Sequence, residues 1–353
     1  RFPIIQIRLE IYNIHWILKN IVSEADVMEF KLYIVKSSLI DISNISGDFQ
    51  RADNSDGLGE EFSFTIAINR KDRYWPKLEI EMGDKIIFTN DGNAVFTGMI
   101  MENDRSNDRI NQVKAYDYGY LMNKSQVNVQ FRKISASSAI EKLCNDYSIP
   151  VGRICNIATL IDKIYSGDAV SDCFKDIISQ ASADTGQEYR MEVRGGLLFV
   201  EPITELVIKA VYKGARNIAP FDVTTEIADL QIKRSIADMR NSVKIISSGE
   251  QSTQIIGEAV DDESISRFGI MQHVETISGD DLSKARSQAT NRLKELNKVT
   301  NEITLKLMGD DAVRSGRILE FNEEEISGRY KIINCTHTYG NNNHYMDLTL
   351  EAV

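Results

Sequence analysis

Three side chains near the carboxyl end of the chain have the types and the spacing of metal ligands. Cys335 and His337 precede the turn-forming run Asn341-Asn342-Asn343, and His344 follows it. A hairpin at this point would bring the two imidazoles face to face, and imidazole and thiolate groups are ligands that zinc prefers. Cross-strand proximity is nevertheless routine in hairpins. We therefore interpret His337 and His344 as ordinary histidines on a strand surface and predict no metal site.

Four clusters of acidic residues could supply the paired carboxyl groups of a glycoside hydrolase, which stand ~5–10 Å apart beside a sugar cleft. Most of them fall in predicted turns, where charged side chains are normally solvated. The first resembles a calcium loop, but its acidic residues miss the alternating positions and no bidentate glutamate ends it. We therefore expect no catalytic carboxylate. The clusters are Asp53/Asp56/Glu60/Glu61, Glu258/Asp261/Asp262/Glu263, Asp310/Asp311 and Glu323/Glu324/Glu325.

Other signatures of chemistry are absent from the sequence. It contains no GxSxG nucleophile elbow, Walker loop, HExxH zinc motif or GxGxxG dinucleotide loop. Lysine and arginine are scattered without interleaved aromatic residues, so binding to single-stranded nucleic acid is not predicted. We expect no catalytic residue, no cofactor and no metal, and therefore no enzyme.

The composition is that of a folded protein with more than one domain. The chain has 353 residues, of which 42% are hydrophobic, enough for two or three cores. Its 52 acidic and 41 basic residues give a formal charge of −11, which argues against a sequence-reading DNA-binding protein but not against one that lets DNA slide past. Cys144, Cys155, Cys173 and Cys335 form no CxxC pair, so reduced thiols are expected. The chain has no uninterrupted run of 18 apolar residues, so no membrane-spanning helix is predicted.

Alternating apolar residues predict β-strands in the first third of the chain. Asp91-Gly92 lies between two β-rich runs, and this dipeptide is typical of tight hairpin turns. Residues 30–120 are therefore predicted to form a small barrel or closed sheet. Residues 1–29 form an arm before it, to which the sequence assigns no structure or role. The strands are expected at 61–68, 85–89, 94–101 and 109–116.

The middle of the chain, 121–204, is predicted to be a compact α+β insert. Ser135 is a suitable N-cap for a helix with apolar residues at helical spacing. A second helix is expected at 171–185, with Gly186 as its C-terminal stop. The apolar runs on either side of Arg194-Gly195-Gly196 predict a hairpin.

The last part, 205–353, is predicted to be a second β domain with one helix near 281–297. In the run 301–308 the alternation places Ile303, Leu305 and Leu307 in a core. The strands are expected at 206–212, 241–247, 252–260, 267–277, 301–308, 317–321, 329–339 and 344–353.

Two segments of the chain resemble each other. Residues 83–100 run G-D-K-I-I-F, turn, V-F-T-G-M-I, and residues 309–333 run G-D-D, then R-I-L-E-F, turn, S-G-R-Y-K-I-I. A chance match of two hairpins is one explanation. The other is a duplicated β module on either side of the insert, and two such modules per chain would let a trimer imitate a sixfold ring.

The order of these elements resembles a known family. The run G-D-K-I-I-F…V-F-T-G-M-I…V-K-A-Y-D-Y-G-Y-L-M (83–122), followed by S-A-S-S-A-I-E-K-L-C, is similar to the baseplate hub proteins of contractile phage tails, of the XkdQ/YqbQ type of PBSX-like prophages within the late-control protein D superfamily. R-G-G-L-L-F-V-E (194–201), F-G-I-M-Q-H-V-E-T-I (268–277) and S-G-R-Y-K-I…H-T-Y…M-D-L-T-L (327–350) fit the same pattern. The resemblance covers about 30–353.

The resemblance implies a mainly β (α+β) fold, with two β-barrel-like tube domains and an inserted small α+β domain. It implies a homotrimeric ring that joins the sixfold tail tube to the threefold central spike of a phage tail or an R-type bacteriocin. The implied partners are the tail tube protein, the central spike protein, baseplate wedge proteins and the tape measure protein, with DNA only as passing cargo and no membrane. The implied location is the tail baseplate of a virion or bacteriocin particle, assembled in the bacterial cytoplasm.

Two other functions stay open at this point. One is a tail-associated cell-wall-degrading enzyme, a peptidoglycan hydrolase, and the other is a carbohydrate-binding β protein. A hydrolase would be expected to show a buried carboxyl group with a raised pKa in a cleft.

Overall fold

The computed structural model describes residues 28–353 except 70, 77, 106–108, 210–227, 249–252, 278–281 and 323–326. The predicted arm at 1–29 therefore lies almost wholly outside the described residues, and so do the last three residues of the expected strand at 206–212. As predicted, the fold is mainly β with helices in the middle and in the last part of the chain.

The strands of the described residues are numbered in chain order. They are β1 (Phe30–Val35), β2 (Leu39–Asp41), β3 (Ser46–Asn54), β4 (Glu61–Ala67), β5 (Lys85–Asn90), β6 (Asn93–Arg105), β7 (Ile110–Tyr116), β8 (Gln126–Ser135), β9 (Val151–Ile154), β10 (Leu160–Ala169), β11 (Tyr189–Arg194), β12 (Leu197–Pro202), β13 (Val207–Lys209), β14 (Ala228–Ser235), β15 (Ser242–Ser248), β16 (Thr253–Val260), β17 (Gln272–Ile277), β18 (Thr300–Met308), β19 (Ile318–Asn322), β20 (Ser327–Gly340) and β21 (Asn343–Ala352). The helices are α1 (Ala136–Asp146), α2 (Val170–Thr185), α3 (Asp262–Phe268) and α4 (Leu282–Leu296). None of the described helices has the length and apolar content needed to cross a membrane.

Two groups of strands share one pairing order. In the first strand set the order is β3-β4-β7-β6-β5-β1, and in the second strand set it is β14-β18-β21-β20-β19-β13. Members that correspond in space also follow each other in the same order along the chain. The sets differ at one end, where β1 runs antiparallel to β5 but β13 runs parallel to β19. The hairpins at 83–100 and 309–333 therefore occupy the same place in both sets.

Backbone hydrogen bonds give the correspondence residue by residue. Gly83 and Gly316 both have positive φ, 92° and 75°, which glycine adopts without steric cost. The N–H of Gly83 donates to the carbonyl of Ile100 at 2.9 Å, and that of Gly316 donates to the carbonyl of Ile332 at 2.7 Å. A shift of register follows each isoleucine. The sequence comparison had matched Gly83 with Gly309, and the structure corrects this to Gly316.

The two strand sets join edge to edge. β3 pairs with the second half of β20 in antiparallel register, from Asn54 opposite Asn334 to Phe49 opposite Tyr339. Tyr339 thereby enters the aromatic core of the first strand set, where its ring lies 4.9 Å from that of Phe88. The described strands of both sets thus form one 13-stranded sheet that includes β2.

The insert between the strand sets has the elements that its sequence predicted. The Ser135 hydroxyl caps α1 by accepting the N–H of Ser138 at 3.2 Å, and Gly186, with φ of 69°, ends α2. β11 and β12 form the predicted hairpin, and β9 joins them in parallel. α1 and α2 pack their apolar faces onto these strands and onto the β8–β10 pair.

A second unit lies between β14 and β18, and it is predicted only in part from the sequence. β15 pairs with β16 and β17 to form a separate sheet, on which α4 packs through Ala285 and Ala289. The prediction of one helix in 205–353 is wrong, because α3 occupies part of the expected strand at 267–277. Asp261 caps α3 by accepting the N–H of Ser264 at 2.9 Å. The predicted alternation in β18 is confirmed, since Ile303, Leu305 and Leu307 are buried.

Candidate functional site

Charged side chains are buried where both strand sets meet the insert. They come from β3, from the segment before β4, from β11 and from the segment before β19, so their positions span most of the chain. Ionised groups are rarely buried unless they are paired. We call the following residues the junction cluster: Arg51, Glu60, Arg190, Glu192, Arg314 and Arg317.

Glu60 is the shared partner of one half of the junction cluster. Its carboxylate lies 3.2 Å from Arg51 Nε and 3.2 Å from Arg314 Nη2. Arg51 belongs to the first strand set, whereas Arg314 belongs to the second and also donates to the carbonyl of Val193 in the insert, at 3.3 Å. These contacts therefore connect all three parts of the chain.

Glu192 has the same role in the other half of the junction cluster. Arg317 Nη2 lies 3.2 Å and Arg194 Nε 3.1 Å from its carboxylate. Next to it, Arg190 donates to Ser315 Oγ at 3.0 Å and to the carbonyl of Ser55. The insert is thus held to both strand sets by charge-assisted hydrogen bonds, which are the stronger kind.

The pKa directions follow from burial and from the local charge. Burial raises the pKa of Glu60 although Arg314 and Arg51 oppose it. Burial also acts to raise the pKa of Glu192, but the surrounding guanidinium groups, with Arg314 the strongest, leave it below its ordinary value. Burial, with a smaller contribution from Glu60, raises the pKa of Asp117 to about 8. The Asp117 side chain accepts the N–H of Gly119 at 3.0 Å.

His337 and His344 do face each other across the last hairpin, but both are buried, at 1% exposure each. Our interpretation of them as surface histidines is therefore wrong. Their burial follows from the β3–β20 pairing, which places Arg51 opposite His337 and covers this part of β20. No local pattern of residues indicates that pairing, because the two strands are far apart along the chain.

The two imidazoles form a hydrogen-bonded pair. His337 Nε2 lies 2.9 Å from the carbonyl oxygen of Val313, which can only accept, so this nitrogen carries the hydrogen. His337 Nδ1 must then accept from His344 Nε2, 2.8 Å away. Burial, and after it the nearby charge of Arg51, lowers the pKa of His337 to about 2. Burial also lowers the pKa of His344, although Asp311 opposes it, so both rings are neutral at ordinary pH.

Asp311 completes a group that by residue type could hold a metal, since its carboxylate and the two imidazoles have ligand atoms within 4.8 Å of one another. The contacts favour another use of these atoms. Asp311 accepts the Tyr339 hydroxyl at 2.6 Å and lies 3.7 Å from Arg51, and both nitrogens of His337 are engaged. A cation here would also be repelled by the Arg51 guanidinium.

The acidic clusters fall in different environments. Glu60, expected to be solvated, is buried in the junction cluster, and Asp53 binds the Ser315 N–H and hydroxyl at 2.9 and 2.7 Å. Asp261 caps α3, as described above. The cluster at Glu323–Glu325 lies outside the described residues. All four cysteines are free.

Glu60 and Asp117, the carboxyl groups with a raised pKa, line neither of two prominent cavities in the described residues. A cavity of about 330 Å³ lies between the insert and the strand sets, with Arg190 and Lys331 in its wall. A wider groove of about 1150 Å³ runs along β1, β3 and the β20–β21 turn. Glu60 and Asp117 are absent from both walls. The arrangement of charges is therefore suited to holding three parts of a chain together.

Comparison with known proteins gives one family and a matching fold. The family described as YQBQ-like matches residues 52–351. The Bacillus subtilis (strain 168) "uncharacterized protein YqbQ" is 25% identical over 294 residues, which are 81% of this chain and 86% of that protein. The "phage-like element PBSX protein XkdQ" of the same strain is 22% identical over 276 residues, 76% of this chain and 81% of its own length. The crystal structure of the 43 kDa tail protein of prophage MuSo2 from Shewanella oneidensis has a TM-score of 0.63 at 10% identity and covers 91% of this chain and 98% of that one.

Proposed function

The chain belongs to the YQBQ-like family, and from this premise we propose that it is a structural baseplate hub of a contractile injection particle. In this proposal three copies form a ring that joins the sixfold tail tube to the threefold central spike of a phage tail or an R-type bacteriocin. The similarity to a PBSX protein and to a prophage tail protein supports a place in a tail.

The observation that carries the proposal is the duplicated pairing order of the two strand sets. One chain contributes two similar units that already lie side by side through β3 and β20. Three chains then place six similar units around one axis while keeping true threefold symmetry. A part with this symmetry fits a sixfold tube on one side and a threefold spike on the other.

The partners in this proposal are the tail tube protein, the central spike protein, baseplate wedge proteins and the tape measure protein. DNA would pass through the ring as cargo in a phage. The formal charge of −11 supports passage without retention, because a polyanion is held mainly by lysine and arginine contacts that release counterions.

We propose a structural role in preference to a peptidoglycan hydrolase because of where the two carboxyl groups with a raised pKa lie. Glu60 and Asp117 have the raised pKa values expected of a catalytic acid. Glu60 is engaged by two arginines, and Asp117 accepts a backbone N–H. Neither reaches a described cavity in which a sugar or peptide would bind.

The mass of the purified protein in native buffer tests the ring. We expect three times the chain mass of 39.9 kDa, because a ring built from two units per chain needs three chains to give six units. A monomer at every concentration tested, or a stable dimer, would count against the hub. Hydrolysis of isolated cell walls by the purified protein would favour the hydrolase instead.

A further inference from the structure

Among the described residues, the outer edge of β14 lacks the neighbour that its counterpart β3 has. β3 and β14 hold the same place in the two strand sets, and both show a register shift against the next strand, between Gly47 and Gln50 in one and between Ala228 and Gln231 in the other. β3 also pairs with β20 on its second edge. β14 pairs only with β18 in the part of the chain that the structure describes.

The missing neighbour is visible in the exposure of equivalent side chains. Arg51 lies opposite Phe62, and Ile232 lies opposite Ile303, so Arg51 and Ile232 correspond. Arg51 is 2% exposed under the covering strand, whereas Ile232 is 54% exposed. An isoleucine at a position that points toward the core in the first strand set is thus left in water.

Part of β6 likewise lacks, among the described residues, the neighbouring strand that the equivalent part of β20 has. The register shifts after Ile100 and Ile332 make Glu102–Arg105 of β6 equivalent to Asn334–His337 of β20. β20 uses this stretch to pair with β3. Glu102–Asp104 pairs with β7 on one side, and no strand of the described residues pairs with the other side of these three.

The charges of the two edges are opposite. The β14 edge presents Lys233 and Arg234, whereas the β6 edge presents Glu102 and Asp104 beside a single cation, Arg105; all five are exposed. Transferring the register of Ala52 opposite Thr336 to the equivalent positions places Lys233 opposite Asp104. The Lys233 side chain is 72% exposed, and its ion pair with Glu302 of the neighbouring strand is long, at 3.9 Å.

We propose that β14 of one copy of this chain pairs in antiparallel register with the Glu102–Arg105 stretch of β6 in the next copy, with Lys233 opposite Asp104. The pairing repeats between chains the β3–β20 contact that exists within each chain. It covers Ile232 and joins all strand sets into one continuous sheet. The contact is head-to-tail, so it closes only as a ring, and it rests on the ring of the proposed function.

Charge reversal tests this contact. Lys233→Glu and Asp104→Lys each place like charges opposite each other at every seam, and we expect each to raise the concentration at which the assembly half dissociates by about tenfold or more. The double variant restores opposite charges and should return this concentration to that of the wild type. Lys306→Glu, on the neighbouring strand β18 opposite Asp347 within one chain, is the control and should leave assembly unchanged.

A cross-link tests the register without relying on affinity. Lys233→Cys combined with Asp104→Cys should give covalent dimers and trimers on oxidation, because directly opposed strand residues are close enough for a disulfide. Lys233→Cys combined with Glu102→Cys, two residues out of register, should not.

The outcomes separate the two proposals. A wild-type protein that never assembles overturns the ring and the contact together. A trimer that forms equally well in both single variants, or that cross-links only out of register, overturns the contact and leaves the ring standing.

Discussion

Replacing Arg51 by methionine is expected to lower the free energy of unfolding by about 3–5 kcal/mol, because it removes one of the two arginine partners of the buried Glu60 carboxylate. Arg51 Nε lies 3.2 Å from Glu60, and Arg51 Nη1 lies 3.7 Å from Asp311. Its side chain is 3% exposed, so water cannot replace the lost contacts. Methionine keeps the length and the apolar stem of the side chain. Urea denaturation at neutral pH measures the loss.

Arg153→Met is the matched control for this experiment. Arg153 also contacts two carboxylates, those of Glu201 at 3.1 Å and Glu205 at 2.8 Å, but its side chain is 51% exposed. An ion pair in contact with water is screened and contributes little to stability. Equal losses in the two variants would mean that the junction cluster is not what holds the strand sets and the insert together.

Replacing His337 by glutamine is expected to make the fold less sensitive to acid. In the folded protein, burial and Arg51 lower the pKa of His337 to about 2 from an ordinary 6.5. Above pH 6.5 the ring is neutral in both states and its contribution to stability is fully present. Below pH 6.5 the His337 imidazole binds a proton in the unfolded chain but stays neutral in the folded protein. Stability is therefore lost at about 1.4 kcal/mol per pH unit, or about 2 kcal/mol from pH 6.5 to pH 5.

The measurement is the difference in unfolding free energy between the wild type and His337→Gln across this pH range. Glu60 and Asp117 have raised pKa values and act in the opposite direction, since their contribution is lost as the pH rises. Both proteins contain them, so they cancel in the difference. His273→Gln, at a half-exposed histidine on β17, is the control for removing an imidazole elsewhere. A constant difference between the wild type and His337→Gln would mean that the buried ring binds its proton normally.

Local patterns were sufficient to predict most of the elements. Alternation identified β4 and β18, Asp91-Gly92 identified the β5–β6 turn, and Ser135 and Gly186 marked helix ends, because each of these signals acts within a few residues. α3 was missed although Asp261 is a good N-cap, since the acidic run around it was interpreted as a solvated turn.

The junction cluster could not be predicted because it depends on contacts between distant parts of the chain. Arg51 meets Glu60 only after β3 and β4 pair, and it meets Asp311 only after β20 joins β3. The same pairing buries His337, which local sequence assigned to a surface. Nothing within a few residues of Glu60 or His337 distinguishes a solvated side chain from a buried one.

The most direct test of the central claim is electron microscopy of the purified assembly viewed along its axis. The account predicts a ring with a central channel, six similar densities around it and threefold symmetry, because each chain supplies two equivalent strand sets. A particle without a channel, or a ring whose number of similar densities is not six, would contradict it.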